Sequence, residues 1–443
     1  MNRETTPRQK EPAANPRRHP RHQRRAAQHE SAHSDAHPEP PPPPDLPLVP
    51  RSAPTLISTD AELHDLIAHL RTLDWFVFDS EFIGEASYHP RLCLIQVATP
   101  DRIALIDTLA ELDSTPFWRL VAEASIEKVV HAGAQDVEPA FRYANAPPAN
   151  IFDTQIAAGF AGMAFPASLS KLIQHALGVK LAKSFTFTDW SHRPLTRVQL
   201  RYAADDVRYL PALRAFLVER LESSGHAAWA RAESEALCDA SLHLFDAERD
   251  YLKVRGAGGL EPRGLAVLKA LFGWRDRSAR DADLPPRSFL RDEVLVDLAR
   301  RPPKSVADLS RVKGLPRPVE AEHGEQIVAL ARKALEGPYP PALATPGDEP
   351  PDDRFRIDAL WSLVETACFG RGIDPAVVGS RQDAASLFRA LRDGNADHHR
   401  LMTGWRGEAV GRLVREVLAG RVQLRLGGGG ESGLLFSAAA TAP

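Results

Sequence analysis

Along the chain, apolar and polar positions fall into a first stretch with no core-forming pattern, a middle in which short apolar runs alternate with helical periodicity, and a long helical remainder. Residues 1 to about 50 hold almost no large apolar side chain and are rich in Pro, Arg, His and Gln, with a proline run from Pro38-Glu39-Pro40 to Pro44 that favours extended polyproline conformations. Such a segment cannot bury a core, and 1–54 reads as a disordered tail. Order is expected from Ile57, where Ser58-Thr59-Asp60 before Ala61-Glu62-Leu63 has the form of a helix start. The compact apolar run Trp75 to Phe78, ending in acids, predicts a buried strand. Leu92 to Ala98 and Ile103 to Ile106 predict two more, divided by a turn at Pro100-Asp101. Lys128 to His131 predicts a fourth, with a helix after it through Asp136 to Tyr143. Leu169 to Leu177 is helical, and Thr196-Arg197-Val198-Gln199 has capping-box form ahead of a helix through Tyr202 and Asp206. Pro211 should kink or break that helix. Early strands followed by strands alternating with helices predict an α/β domain over 55–229, a mixed sheet flanked by helices.

Strand signals end near residue 230. Helices are expected around Gly264 to Arg277, Asp292 to Arg300 and Val319 to Leu335, separated by Pro-Pro pairs at 285–286 and 302–303. They make 230–336 a small helical domain. Residues 337–354 are Pro-rich and acidic and read as a linker. Residues 355–425 form a second apolar-periodic helical domain, and 426–443, with Gly427 to Gly430 and an Ala-rich end, read as a flexible tail.

A chain of 443 residues is long enough for two to four domains, and 43% apolar content suffices for real cores. The net charge of -3 neither suggests nor forbids a polyanionic partner, since positive charge can be local. Cys93, Cys238 and Cys368 lie far apart, without metal-ligand spacing or a disulfide framework, which fits a reducing cytosol and a cytoplasmic location. No apolar run is long enough to span a bilayer, and the arginine-bearing N-terminus lacks the apolar region of a secretory signal.

The chemistry lies in acids from three separated segments: Phe78-Asp79-Ser80-Glu81-Phe82, His131 to Asp136, and Tyr202-Ala203-Ala204-Asp205-Asp206. Alternate strand positions share a face, so Asp79 and Glu81 project together and Ser80 away. Tyr202 and Asp206, four apart on a helix, sit together, and Asp136 follows the fourth strand at a strand-to-helix junction. Carboxylates gathered near a buried strand are costly unless neutralised. Divalent ions such as Mg²⁺ or Mn²⁺ prefer such oxygen ligands, and a pair of them hydrolyses phosphodiesters. Each acid alone has an ordinary structural explanation; their joint order is what points to a nuclease. Asp205, about 100° round the helix from Asp206, is expected to face solvent.

On these segments the chain resembles the DEDDy 3′–5′ exonucleases, most closely the ribonuclease D type. Ile151-Phe152-Asp153-Thr154, Leu181-Ala182-Lys183-Ser184, Thr188-Asp189-Trp190 and Arg193-Pro194-Leu195 agree as well, and the helical domains resemble HRDC domains. The likeness covers about residues 55–425. It implies an RNase H-like sheet, two divalent ions held by Asp79, Glu81, Asp136 and Asp206, and a nucleophile positioned by Tyr202. Asp79 would bridge both ions, Glu81 and Asp206 would hold the one that activates water, and Asp136 would serve the second. The resemblance also implies an exoribonuclease that trims RNA 3′ ends, tRNA precursors included, and releases 5′-mononucleotides. Neither a small-molecule cofactor nor a membrane is expected, and a monomer is. A 3′–5′ DNA exonuclease and a catalytically silent RNA-binding module are the alternatives. Ser80 stands where such proteins more often have Thr.

For substrate handling, Lys180, Lys183, Arg193, Arg197, Arg201, Arg208 and Arg214 cluster around the third motif and are candidates for phosphate contacts or for a solvated helix face. Trp190, Phe185 and Phe82 are candidates for stacking on terminal bases, with a core role expected for Phe82. His131 is expected to be a packed histidine rather than a ligand. Lys313-Gly314-Leu315, flanked by Arg311 and Arg317, could present backbone N–H groups to structured RNA.

Overall fold

The computed structural model describes residues 43–84, 87–181, 188–343, 349–426 and 434–438. Most of the proposed N-terminal tail, with Arg17, Arg18, Arg21, Arg24 and Arg25, lies outside them, as do Lys183 and Phe185. β1 (Thr55–Ile57), β2 (Trp75–Ile83), β3 (Arg91–Ala98), β4 (Ile103–Ile106), β5 (Glu127–Val130) and β6 (Ile151–Asp153) form one mixed sheet in the order β1-β4-β3-β2-β5-β6. The consecutive strands β2, β3 and β4 are antiparallel, while β1 runs parallel to β4 and β5 and β6 run parallel to β2. Three-residue β1 and β6 were not read from the sequence, because strands this short show no period.

Alternation along the central strands gives the sheet two apolar faces. Phe76, Phe78, Ile95, Val97 and Ile106 pack into a core with α1 (Asp60–Leu70) and α2 (Thr115–Val121). Thr59 caps α1 by accepting from the Glu62 N–H (3.3 Å) while Glu62 accepts from the Thr59 N–H (3.0 Å). The other face, with Val77, Leu94, Ala98 and Leu105, belongs to a second core. α3 (Ala134–Pro139) gives Val137 to the first core, while the second takes in α4 (Thr154–Phe160), α5 (Leu169–Leu177), α6 (Arg197–Arg208), α7 (Leu210–Ser224) and α8 (Ala227–Glu235). Pro211 sits in the first turn of α7, so the expected interruption is a clean break between two helices.

Residues just before β1 differ from the expected tail. Val49 is buried in the core, and Arg208 donates to the carbonyls of Pro50 and Ser52, which fixes this segment against α6.

The two helical blocks attach differently. The first, with α9 (Pro262–Asp281), α10 (Asp292–Arg300) and α11 (Arg317–Ala334), has its own core around Leu268, Leu271, Trp274, Leu295, Leu298 and Ile327. The second, with α12 (Pro351–Arg371) and α13 (Arg381–Arg392), shares the sheet's core: Ile357, Val364, Val377 and Leu387 cluster with Ile156, Phe160 and Leu217. Asp374 accepts from the Phe165 N–H (3.1 Å), Trp405 meets Phe160 edge-on at 4.8 Å, and Arg406 pairs with Glu233 at 2.7 Å. Strands also return at the chain's end: β7 (Val422–Leu426), where the helical domain was expected to close, and β8 (Leu434–Ala438), within the expected flexible tail, form an antiparallel hairpin. Its signal is the alternation Val422, Leu424, Leu426 ahead of a glycine run. No helix among the described residues is long and apolar enough to cross a membrane.

Candidate active site

The strand carrying the first acids is longer than its apolar run. β2 continues through Asp79 and Glu81 to Ile83, with an irregularity in its pairing to β3 between Glu81 and Phe82. Beside it, β5 ends in the turn His131-Ala132-Gly133, from which α3 brings Asp136 in its first turn. This turn is tightly built. Ala132 adopts a left-handed φ of 54°, and a Cβ on Gly133 would lie 2.4 Å from Val130 Cγ2, so only glycine fits there. Asp153, at the end of β6, gathers the turn by accepting from the N–H groups of Ala132 (3.1 Å) and Gly133 (2.9 Å), besides capping α4 through Gln155 (2.8 Å). Thr154 donates to the Val130 carbonyl (3.0 Å) and pairs with His131 Nδ1 (3.0 Å). On the far wall, the Thr196–Gln199 capping box starts α6, which presents Tyr202 and Asp206 one turn apart.

These pieces line one cleft of about 310 Å³: Asp79, Ser80, Glu81 and Phe82 from β2, His131, Ala132, Gln135 and Asp136 from the turn and α3, Leu169 from α5, and Tyr202 and Asp206 from α6. Among the described residues no lysine or arginine lines it. Burial and mutual repulsion therefore push every carboxyl upward. Asp79 rises well above the usual carboxylate range through burial, then through Asp136, Asp206 and Glu81. Burial and the charges of Asp206 and Asp136 take Glu81 to about 8. Asp206 reaches about 7 through burial and Asp205, offset by a hydrogen bond from Tyr202. Asp136 reaches about 6, burial being offset by hydrogen bonds from Ser80 and Asp79. Burial and the neighbouring acids raise the Tyr202 phenol too, which keeps it a donor.

An all-oxygen donor set of four acids with no internal cation fits a hard divalent ion. No three of these side chains already converge on one ligating point among the described residues; ions of this type bridge such gaps by keeping waters. A further polar site is unsatisfied nearby. Gln96 on β3, directly across from Asp79, is wholly buried, and neither its side-chain oxygen nor its nitrogen has a hydrogen-bond partner.

The four acids and Tyr202 thus come together, whereas Trp190, Arg193 and Arg201, expected to meet RNA, have partners within the chain. Trp190 is buried in the core with its ring 6.1 Å from that of Tyr202, so it supports the tyrosine and is not free to stack on a base. Arg193 makes a two-pronged pair with Asp107 (2.7 Å each) and donates to the carbonyls of Cys93 and Trp190 (2.8 Å each). Arg201 pairs with Asp205 at 3.5 Å, and Arg208 with the same carboxylate at 3.0 Å, so Asp205 anchors two arginines and is not the solvated acid expected. Arg214 pairs with Glu127 at 2.6 Å and lies over Trp75. Lys180 and Arg197 remain exposed. Phe82 is part-buried and lines the cleft as well as touching the core. Sequence reasoning missed the role of Asp153 in holding the turn before Asp136, and that of Ser80, whose hydroxyl donates to Asp136.

A mixed sheet with a cleft of four acids and a tyrosine has the make-up of a nuclease, and residues 54–222 match the family model for a 3′-5′ exonuclease. Residues 264–330 match the HRDC domain model. The chain is 32% identical to ribonuclease D of Bartonella henselae over 84% of its own length and 92% of that protein's. It is 34% identical to ribonuclease D of Zymomonas mobilis over 83% of its length and 94% of that protein's. The crystal structure of Escherichia coli RNase D, described as an exoribonuclease involved in structured RNA processing, superposes with a TM-score of 0.73 at 31% identity, covering 83% of this chain and 99% of that one. The chain belongs to the ribonuclease D family of 3′–5′ exoribonucleases. Membership in this family of acid-site exonucleases implies use of divalent metal.

Proposed function

We propose that this protein trims the 3′ ends of structured RNAs, tRNA precursors among them, as a cytoplasmic monomer, releasing 5′-mononucleotides with the help of two divalent ions, Mg²⁺ or Mn²⁺. Asp79, Glu81, Asp136 and Asp206 would hold the ions. The observation that carries this reading is the cleft lined by four carboxylates from three elements, with no lysine or arginine lining it among the described residues. When bound, the ions supply an activated water and charge neutralisation at the departing 3′ oxygen.

The chain's own residues do the placing. Tyr202, hydrogen-bonded to Asp206 and protonated at neutral pH, offers its hydroxyl to orient the attacking water. Ser80 and the Asp153-braced turn hold Asp136 in place. Phe82 and Leu169 give the cleft an apolar flank against which a terminal nucleoside can pack. The structured-RNA part of the reading draws support from the Escherichia coli relative's described role and from the exposed Arg311, Lys313 and Arg317 around the glycine turn of the first helical block, where Gly314 takes a φ of 87°.

The test is a 5′-labelled RNA with a 3′ extension, incubated with Mg²⁺, with Mn²⁺ and with EDTA, beside a DNA strand of the same sequence and the Asp136→Ala variant. A metal-dependent ladder shortening from the 3′ end of the RNA, absent in the variant, is expected. Preferential shortening of the DNA would replace the RNA reading, and intact strands under every condition would leave a binding module.

A further inference from the structure

The first helical block carries its own core, and among the described residues Tyr88 is the one apolar side chain of the catalytic domain that packs against that core. Tyr88 lies in the connection that leaves the cleft after Glu81 and Ile83 and returns as β3. Its backbone N–H donates to Asp283 Oδ1 (3.0 Å) and its hydroxyl to Asp276 Oδ1 (2.5 Å). Arg280, held on the other oxygen of Asp276 (3.1 Å), donates to the Tyr88 hydroxyl (2.9 Å) and lays its guanidinium 4.9 Å over the ring. Asp276 is buried, so its two oxygens are committed to this joint. Burial, and then the bond to Asp276, raise the Tyr88 phenol, which keeps it protonated as a donor. The second block, by contrast, is fused to the catalytic domain through a common core.

We propose that Tyr88 is the joint that holds the first helical block at the rim of the cleft and thereby sets the preference for structured over short unstructured RNA. It is a positioning residue and touches no reacting atom. The proposal rests on the reading of the cleft as a site for structured RNA. A short single strand needs only the cleft. A folded RNA whose 3′ end enters the cleft extends beyond it and meets the block, whose exposed Arg311, Lys313 and Arg317 act as a second, tethered binding site. A tethered site adds affinity only while the tether keeps it in reach, and this is what the joint maintains.

The test compares wild type, Tyr88→Ala and Tyr88→Phe as full chains in Mg²⁺, on a short unstructured RNA and on a hairpin with a single-stranded 3′ tail, with small-angle scattering of each protein. Tyr88→Ala is expected to raise KM for the hairpin about tenfold with kcat kept, to leave the short RNA within about twofold, and to enlarge the radius of gyration. Tyr88→Phe keeps the ring, the overlying Arg280 and the backbone bond, and should recover most of the hairpin affinity. Equal losses on both RNAs, or unchanged hairpin KM with unchanged scattering, would overturn the proposal. If Tyr88→Ala does not fold, Asp276→Asn with Asp283→Ala opens the same joint from the other side, with the same split expected. A wild type that shortens the short RNA but not the hairpin would reject the structured-RNA reading instead. Scattering then decides the joint alone, an unchanged radius rejecting it.

Discussion

Arg193 and Asp107 close a two-pronged ion pair beside β3 and β4, while on the next strand Asp79 and Glu81 face Asp136 and Asp206 across a cleft with no lysine or arginine in its lining among the described residues. Both regions bury carboxylates, and burial alone raises each. At Asp107 burial is outweighed by the hydrogen bonds and charge of Arg193 together with the backbone N–H groups of Leu109 and Ala110, which hold the carboxyl below its ordinary range. In the cleft nothing outweighs it, and the acids rise. A charge neutralised within the chain is finished structure, whereas acids left to repel one another are a site that an external cation completes. The same contrast sorts the arginines around the third motif: Arg193, Arg208 and Arg214 pair with internal acids, while Arg197 stays exposed.

The comparison breaks most visibly at Asp79. Asp79→Asn should lower turnover on the order of 10³-fold or more, since a lost metal ligand removes several kcal/mol of transition-state stabilisation. The metal-free protein should melt no lower than wild type, because one member of a repelling set is gone. Single-turnover cleavage and a thermal melt in EDTA read both. Turnover near wild type would remove Asp79 from the metal set.

At Arg193 the signs reverse. Arg193→Ala strands the Asp107 carboxylate and three carbonyls and should cost about 3 kcal/mol of stability, the low end of the range for fully buried pairs because the arginine is partly exposed. RNA affinity and turnover per folded molecule should hold. A protein as stable as wild type with a raised KM would return Arg193 to the substrate.

How far the sequence reached follows the same line. Asp79 with Glu81, and Tyr202 with Asp206, were legible because strand and helix periods convert spacing directly into a shared face. Asp136 was placed by its position after an apolar run, and its motif by resemblance. The packing of Arg193 and Trp190 was not legible, because their partners, Asp107 and Tyr202, are brought to them by tertiary structure that no local pattern records. Asp153 entered only as part of a segment shared with the resembled family; that it caps a helix and holds the 132–133 turn across neighbouring strands was not legible. The sharing of one core by the second helical block and the sheet was likewise invisible, since apolar periodicity says that a face is buried and not against what.

Asp153→Asn sharpens the contrast with a smaller effect. The amide keeps one oxygen as acceptor but opposes its NH₂ to the N–H of Gly133 or of Ala132. A loss of about 1–2 kcal/mol is expected from the unsatisfied donor. Turnover should drop about tenfold, with a higher Mg²⁺ requirement, as the support behind Asp136 loosens. A Mg²⁺ titration of activity below the melting temperature checks this; an unchanged titration would mean that the tight backbone around Gly133 holds the turn unaided.

The smallest expected effect concerns pH. Glu81 and Asp206 have folded pKa values of about 8 and about 7, above their ordinary carboxylate values. The folded protein without metal therefore holds protons that the unfolded chain has released, and linkage makes its stability fall as pH rises between roughly 4 and 8. A divalent ion binds the ionised acids and so opposes this loss most where they are fully ionised. The rise in melting temperature on replacing EDTA by Mg²⁺ should be larger at pH 8 than at pH 6, by about 2–4 °C for each kcal/mol of added binding. Arg193→Ala should keep that pH dependence, because its charge pair lies outside the cleft, and Asp206→Asn should flatten it. Equal Mg²⁺ shifts at both pH values in the wild type would mean that the four acids are neutralised within the chain after all, and the distinction between the two regions would fall.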